Sequence, residues 1–186
     1  AALKVINSLE KHSKNFINLS PFVVISSKGK NGHADVSPRG DSVGFVKIQD
    51  DKTIIIPDRS GNNRLDTLEN IIFDPSVGTL FFIPGINTVL RINGNAFIED
   101  NLEIRAQFKI NNNIPKTCII INIEEIFMHC AKALMRSSFW DHSKYLSQTE
   151  FPTISKIIND QLNSEDDEQN HEQEDKRYKK QIIEFG

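Results

Sequence analysis

Cysteine is scarce in this chain, because Cys118 and Cys130 are the only two among 186 residues. They form no CxxC motif, and one pair cannot supply the framework of a small disulfide-rich secreted domain. The adjacent His129-Cys130 pair has no second pair at the spacing that zinc sites use. We therefore predict no metal site, and the cytoplasm, a reducing compartment, is the expected location.

Long hydrophobic runs and an excess of basic residues are also missing. No apolar run is long enough to span a bilayer, and no signal peptide opens the chain. The formal net charge of −3 argues against a general nucleic-acid-binding protein. We expect no membrane and no nucleic-acid partner. The chain begins with Ala-Ala and not with methionine, which leaves open whether residues precede it.

The polar residues concentrate in the last quarter of the chain. Residues 164–175 hold seven acidic residues and neither lysine nor arginine, which is typical of a solvated helix face or of a disordered linker. The preceding part is long enough for one domain with a real core. The predicted organisation is an N-terminal helix in 1–20, a main domain in 21–141 and a helical, acidic tail in 142–186.

The segment Thr53–Phe73 reads as a strand, a turn and a helix. Ile54, Ile55 and Ile56 form a continuous apolar run, as in a strand that is buried on both faces. After Pro57 comes a cluster of turn formers, and then a helical repeat with Asn62 and Asn63 as natural N-caps. Arg59 and Arg64 beside that start favour a phosphate or carboxylate site. A capped surface helix with two solvated arginines explains the pattern equally well.

The remaining pattern predicts a mainly β protein with flanking helices. A helix is expected in the first half of 1–19 and a short one in 102–110. The segment Ser37–Asp41 interrupts one strand, and its proline belongs at an edge or a bulge, where sheets often open to a ligand. The hairpin arrangement favours an antiparallel, closed or half-closed barrel. Strands are predicted at 22–26, 33–36, 45–48, 53–56, 77–83, 88–98 and 118–127.

Five segments, in this order, resemble the pyridoxamine 5'-phosphate oxidase-like FMN-binding split-barrel superfamily. The likeness is greatest to a branch of bacterial flavoproteins with SPRGD, GNNR and HCAKA elements. It covers roughly residues 20–141. The segments are ADVSPRGD (34–41), IPDRSGNNRLDTLENI (56–71), LFFIPG (80–85), LRINGNA (90–96) and HCAKALMRSSFWD (129–141).

The resemblance implies a six-stranded antiparallel Greek-key split barrel that forms a homodimer with two FMN sites at the subunit interface. It assigns the FMN phosphate to Arg64, with Asn62 and Asn63 as further donors. Four residues match the strand segment beside the ribityl chain and the ring: Val36, Ser37, Pro38 and Arg39. Pro57 and Asp58 match the strand end where the backbone contacts the flavin, and Arg91 lies in the strand that usually contributes a polar residue to the ring. The other subunit would contribute Lys132, Arg136 and Trp140.

Two departures from the oxidase concern the substrate. Ser37-Pro38-Arg39-Gly40 stands where the oxidase has a strand motif whose lysine meets pyridoxal phosphate, and the C-terminal aromatic-Gly-Arg-Leu-Pro signature is missing. The resemblance therefore implies an FMN-dependent oxidoreductase on an unknown small molecule, in which Arg39 or Lys132 could stabilise reduced flavin. The alternatives are a flavin sensor or carrier without turnover, a haem-binding split barrel, and a cofactor-free barrel that serves interaction.

Overall fold

The computed structural model describes residues 4–59, 61 and 64–185. Its strands are Val5–Ile6 (β1), Phe22–Lys28 (β2), Ala34–Gly40 (β3), Lys47–Asp50 (β4), Thr53–Pro57 (β5), Ser76–Phe82 (β6), Val89–Glu99 (β7) and Cys118–His129 (β8). Its helices are Lys11–Leu19 (α1), Asp66–Phe73 (α2), Leu102–Ala106 (α3), Lys132–Arg136 (α4), Ile154–Leu162 (α5) and His171–Phe185 (α6).

All eight strands belong to one antiparallel sheet. Seven follow the order β3-β2-β6-β7-β8-β5-β4, and β1 pairs with β8. Within the described residues no ladder joins β3 to β4, so the sheet is not closed by hydrogen bonds. The antiparallel barrel-like fold with flanking helices is confirmed, with eight strands and not the six that the resemblance implied.

The N-terminal helix lies later than predicted. Val5 and Ile6 pair with β8, and α1 begins only at Lys11. Glu10 fixes this start, because its carboxylate accepts hydrogen bonds of 2.6 Å from the backbone N–H groups of His12 and Ser13. The helix prediction for the first half of 1–19 was therefore wrong, although its end before Ser20 was right.

Strand β5 is buried on both faces, as its composition predicted. Ile54 and Ile56 are 0% exposed and face the main core, which lies on the inner face of the sheet. Ile55 faces the other way and packs in a smaller cluster with Phe108 and Cys118. Because this smaller cluster covers the outer face of β5, the strand needs no alternation of apolar and polar residues.

Strand β7 alternates as predicted. Leu90, Ile92 and Ala96 are buried on the inner face, at most 3% exposed. The register to β8 shifts after Asn93, where Gly94 approaches the backbone so closely that a Cβ would lie 2.1 Å from the carbonyl oxygen of Asn122. Glycine is required at this bulge because any side chain would collide with backbone.

The chain divides into two compact units, 1–140 and 141–186. The second unit contains α5 and α6, which are joined by hydrogen bonds. The carboxylate of Glu174 accepts hydrogen bonds from the backbone N–H groups of Ile154 and Ser155, 3.1 and 2.8 Å long. This carboxylate therefore caps α5 from the neighbouring helix, and these hydrogen bonds hold the pKa of Glu174 below 4.5.

Candidate functional site

Strand β3, which holds four of the predicted site residues, is an edge strand. It runs without interruption from Ala34 to Gly40, and Pro38 lies opposite Val24 of β2. The predicted break at Ser37–Asp41 was wrong, because a proline at an edge removes no hydrogen bond that the sheet needs. The predicted edge position of Pro38 was right.

The ends of β3 and β5 meet through two ion pairs. Nη1 of Arg39 lies 2.6 Å from Oδ1 of Asp58, and Nε of Arg59 lies 2.7 Å from Oδ2 of Asp41. Each strand end contributes one cation and one anion. We call Arg39, Asp41, Asp58 and Arg59 the seam residues, because they join the two strand ends that no hydrogen-bonded ladder connects in the described residues.

The seam residues are shielded from solvent. Their side chains are between 14% and 19% exposed, so water screens the charges less than at an open surface. Arg59 also donates a hydrogen bond of 2.8 Å from Nη1 to the carbonyl oxygen of Phe108. Nε of Arg39 is buried and has no partner among the described residues. The fold thus brings the predicted residues Arg39 and Asp58 together, and Nε of Arg39 remains a donor without a partner among the described residues.

Helix α2 begins beside β3. Thr67 donates a hydrogen bond of 3.4 Å to Asp35, and Asn70 donates one of 3.0 Å to Ser27 of β2. Leu65 occupies the N-cap position and its side chain forms no capping hydrogen bond. Asn62 and Asn63, the predicted N-caps and donors, lie outside the described residues.

Arg64, the predicted phosphate ligand, stands immediately before this helix. Its Nε lies 2.7 Å from Oδ2 of Asp66, and the two side chains are 76% and 43% exposed. An ion pair this exposed contributes about 0–1 kcal/mol. This pair therefore stabilises less than the shielded ion pairs of the seam arginines.

Arg91 lies on the other face of the sheet. The register runs from Pro38 through Val24 and Leu80 to Arg91, so these residues share the outer face. Pro38 and Arg91 are three strands apart, which is roughly 14 Å. Arg39, one residue after Pro38, points to the opposite face because side chains alternate. The structure thus divides the predicted set between a seam group and an outer-face group.

Around Arg91 lies a polar group that we call the outer-face cluster: Arg91, Asn93, Glu125, Phe127 and His129. Asn93 and Arg91 are directly opposite Glu125 and Phe127. Nη2 of Arg91 donates to Oε1 of Glu125, which also accepts a hydrogen bond of 3.3 Å from Asn93. The Arg91 guanidinium lies over the Phe127 ring, 5.2 Å from its centroid.

His129 completes the outer-face cluster. Its ring meets the Phe127 ring edge-on, with the centroids 5.0 Å apart. Burial and then the positive charge of Arg91 lower the pKa of His129, which favours the neutral imidazole. Nε2 of His129 and Nε of Arg91 are buried and have no partner among the described residues. Sequence reasoning placed Arg91 here but missed Glu125 and His129, for which only the polar alternation of the strands gave a signal.

The residues predicted to come from a second subunit lie after β8. Lys132 and Arg136 are the ends of α4 and are exposed, and neither forms an ion pair within the described ranges. Nε1 of Trp140 donates a hydrogen bond of 3.1 Å to the carbonyl oxygen of Ile86. This hydrogen bond joins Trp140 to the turn after β6, and the assignment of all three residues to a partner's site stays a prediction.

Two further properties concern the described residues as a whole. No group of three or more histidine, cysteine or acidic side chains in 4–59, 61 and 64–185 could hold a metal ion. None of the helices in these ranges has the length and apolar character that crossing a membrane requires.

Comparison with known proteins identifies the family. Residues 9–130 match the family model of pyridoxamine 5'-phosphate oxidase. The chain belongs to this family. Comparison with curated proteins gave no match.

Solved structures share this fold. HupZ of Group A Streptococcus is 21% identical with a TM-score of 0.53, and the match covers 64% of this chain and 93% of that one. A protein of Lactobacillus delbrueckii that bears the provisional name pyridoxamine 5'-phosphate oxidase is 18% identical with a TM-score of 0.51, over 66% and 95% of the two chains. At these identities the likeness shows the fold alone.

Proposed function

We propose that this member of the pyridoxamine 5'-phosphate oxidase family binds FMN and is an FMN-dependent oxidoreductase that acts on a small molecule. The observation that carries the proposal is the convergence of three elements. The start of α2 is bonded to β3 through Thr67 and Asp35, and the end of β3 is bonded to the end of β5 through Arg39 and Asp58. These are the elements to which the family resemblance assigns the phosphate, the ribityl chain and the ring.

The residues at the start of α2 fit a phosphate group. The N-terminus of a helix carries a partial positive charge and N–H groups that lack partners within the helix. Leu65 supplies no side-chain cap there, and the exposed guanidinium of Arg64, immediately before the helix, supplies a cation for a phosphate oxygen. Asp66 and Glu69 in the first turn oppose an anion, so Arg64 has the larger part in binding it.

The seam residues fit an uncharged, hydrogen-bonding part of a ligand. Nε of Arg39 is a buried donor without an acceptor among the described residues, which a carbonyl or hydroxyl oxygen would satisfy. The edge of β3 also offers backbone groups, since the described residues pair this strand only with β2. These features fit the ribityl chain and the polar edge of a flavin.

When bound, FMN supplies the redox chemistry, and the protein supplies position and electrostatic environment. Arg39 is already paired with Asp58, so its charge is largely compensated. Lys132, which forms no ion pair in the described part of the chain, is the better candidate for stabilising a negative charge on the ring. This role requires a homodimer in which Lys132, Arg136 and Trp140 reach the partner's site, as we propose.

The substrate differs from that of the oxidase itself. The Ser37-Pro38-Arg39-Gly40 segment provides no lysine where the oxidase meets pyridoxal phosphate, and Arg39 is held by Asp58. We therefore propose that the chain does not oxidise pyridoxamine phosphate.

A visible absorption spectrum of the purified protein, with the released chromophore identified by mass, tests this function. Two flavin bands and the mass of FMN would support it. A colourless protein that also fails to bind added FMN would overturn it, and a Soret band would indicate haem.

The second candidate is a flavin sensor or carrier without turnover. The specific observation in its favour is that Arg39 and Arg91 are both compensated by carboxylates, which weakens the stabilisation of reduced flavin. Stopped-flow reduction by NADH and NADPH separates the two. A selective, fast reaction with one donor favours the oxidoreductase, whereas slow reduction by every donor favours the carrier.

A further inference from the structure

The C-terminal unit, residues 141–186, has few buried side chains. Among those that the structure describes, the buried ones in this unit are Asn159, 7% exposed, and Glu174, 6% exposed, and both are polar. The described side chains of the unit thus include no buried apolar one. An amphipathic helix of a folded protein normally buries its apolar stripe against another element, so these helices need a further partner.

Helix α5 carries an apolar stripe that is exposed. Ile154, Ile158 and Leu162 follow one another at intervals of four residues, so they share one face of the helix, and they are 45%, 45% and 71% exposed. Soon after this stripe come the acidic residues 165–167, which are exposed as well. We call the three apolar residues together with 165–167 the acidic surface.

Helix α6 has the opposite charge in its second half. Residues 176–180 contain four basic residues and no acidic one. Tyr178, Ile182 and Ile183 add apolar side chains that are 40%, 70% and 68% exposed. We call residues 176–183 the basic surface. It combines cations with apolar area, as the acidic surface combines anions with apolar area.

Within one copy the two surfaces do not satisfy each other. Asn159 donates a hydrogen bond of 2.7 Å to the carbonyl oxygen of Asp166 and so holds the acidic residues beside the second half of α5. Glu174, by contrast, joins α6 to the first residues of α5. The lysines at the two ends of 176–180 form ion pairs of 2.7 and 3.6 Å with glutamates of α6 itself.

The two surfaces match in length and in order. At 1.5 Å per residue, the stripe on α5 and the segment 176–183 are each about 10–12 Å long. An antiparallel packing of the two would bring 176–180 to 165–167 and to the C-terminal end of α5, where the helix dipole also favours cations. The same packing would bring the isoleucines of α6 to those of α5.

We propose that two copies of this chain pair through their C-terminal units, with the basic surface of each copy packed against the acidic surface of the other. A two-fold axis makes both contacts at once, because each copy supplies both surfaces. An anionic lipid surface would attract residues 176–180 but repel 165–167, so a second copy fits better. This pairing requires neither FMN nor the homodimer that would share the flavin sites.

Cross-linking between single cysteines tests the pairing. One chain carries Ile158→Cys and a second, differently tagged chain carries Ile182→Cys, both with Cys130→Ser, so that the buried Cys118 is the remaining native thiol. The two chains are co-expressed, and a short bismaleimide should join them. Asp160→Cys replaces Ile158→Cys in the matched control. It lies two residues further on, on the opposite side of α5, and should give about tenfold less product because the two thiols are not brought together.

Charge reversal separates pairing from a loss of folding. Asp166→Lys with Asp167→Lys in the first chain, or Lys179→Glu with Lys180→Glu in the second, should each lower the yield about tenfold. Both reversals together should restore it, since opposite charges then face each other again between the chains. Concentrated salt should lower the yield of the unreversed pair, because it screens exposed charges.

Equal yields from Ile158→Cys and Asp160→Cys, or a yield that charge reversal does not change, would overturn the pairing. The Asp160→Cys control keeps every other contact between copies, so the comparison measures the C-terminal contact separately from the proposed homodimer. The cross-linking needs no flavin, and its failure would leave the proposed function standing. A colourless protein that ignores added FMN but cross-links as expected would overturn the proposed function and leave the pairing standing.

Discussion

Arg39 and Asp58 form an ion pair across the ends of two strands that share no ladder in the described residues, with Nη1 and Oδ1 2.6 Å apart. Next to it, Arg59 and Asp41 form the reciprocal pair. Each strand end thus contributes one cation and one anion, and each of these charges pairs with the opposite charge on the other strand end. Side-chain ion pairs therefore join the ends of β3 and β5, which no backbone ladder connects in the described residues.

The Arg39–Asp58 pair should couple measurably in a double-mutant cycle. Arg39→Ala and Asp58→Ala each leave a shielded charge without its partner, so we expect each to lower the free energy of unfolding by about 1–3 kcal/mol. The double variant should lose less than the sum, with a coupling of about 0.5–3 kcal/mol. Urea unfolding measures all four proteins.

The exposed pair of Lys14 and Asp51 provides the control for this cycle, because its N–O distance is 2.5 Å but its side chains are 38% and 67% exposed. Its coupling should be below about 1 kcal/mol. Additive effects at Arg39 and Asp58 would show that this pair does not stabilise the seam.

Arg64→Ala should weaken FMN binding by about 1.5–3 kcal/mol, the contribution of a charge-assisted hydrogen bond to a phosphate oxygen. This corresponds to roughly a tenfold to hundredfold rise in the dissociation constant, measured by quenching of flavin fluorescence. Lys14→Ala, which also removes an exposed cation, should leave the constant unchanged. An equal effect of the two variants would assign the phosphate to another residue.

The stability of the fold should depend on pH through His129. In the unfolded chain this imidazole takes up a proton near pH 6.5, and in the folded chain only at lower pH, because burial and Arg91 lower its pKa. As the pH falls below 6.5, the unfolded state therefore binds more protons, and the free energy of unfolding decreases. Urea unfolding at a series of pH values should show this decrease.

His129→Phe should make the pH profile flatter, since the titrating group is gone. His12→Gln removes an exposed histidine of α1 instead and serves as the control. A profile that is equally steep in His129→Phe would show that other groups cause the loss of stability in acid.

The two cysteines should react at very different rates with a thiol reagent. Cys130 is exposed, whereas Cys118 is 0% exposed and burial raises the pKa of its thiol to about 11. Because the thiolate is the reactive form, the native protein should show one fast thiol and release the second only on unfolding. Cys130→Ser should abolish the fast phase, and two fast thiols in the native protein would contradict the burial of Cys118.

Local chemistry was sufficient to predict several elements. The isoleucine run of β5, the alternation of β7 and the edge position of Pro38 follow from side-chain periodicity and from the missing N–H of proline. The break at Ser37–Asp41 was predicted wrongly because turn formers within a strand are tolerated when the strand has only one neighbour. The helix in the first half of 1–19 was wrong because β8 offered Val5 and Ile6 a ladder that a local pattern does not reveal.

The candidate site was harder to predict, since its residues meet only through the folding of distant segments. Arg39 and Asp58 were both predicted to lie at the site, but their pairing depends on how the sheet curves. His129 belongs to the outer-face cluster because β8 continues two residues beyond its predicted end at Phe127. The family resemblance named Arg39, Asp58 and Arg91 as site residues, but it did not predict which charges would compensate one another.

The sequence by itself determined that this is an antiparallel, mainly β protein of the pyridoxamine 5'-phosphate oxidase family, because strand periodicity and ordered motifs are properties of the chain. Only the tertiary structure decided that Arg39, Arg59 and Arg91 each meet a carboxylate and that Nε2 of His129 meets none among the described residues. The physical reason is that charge compensation and burial depend on distances between residues that lie far apart in the chain.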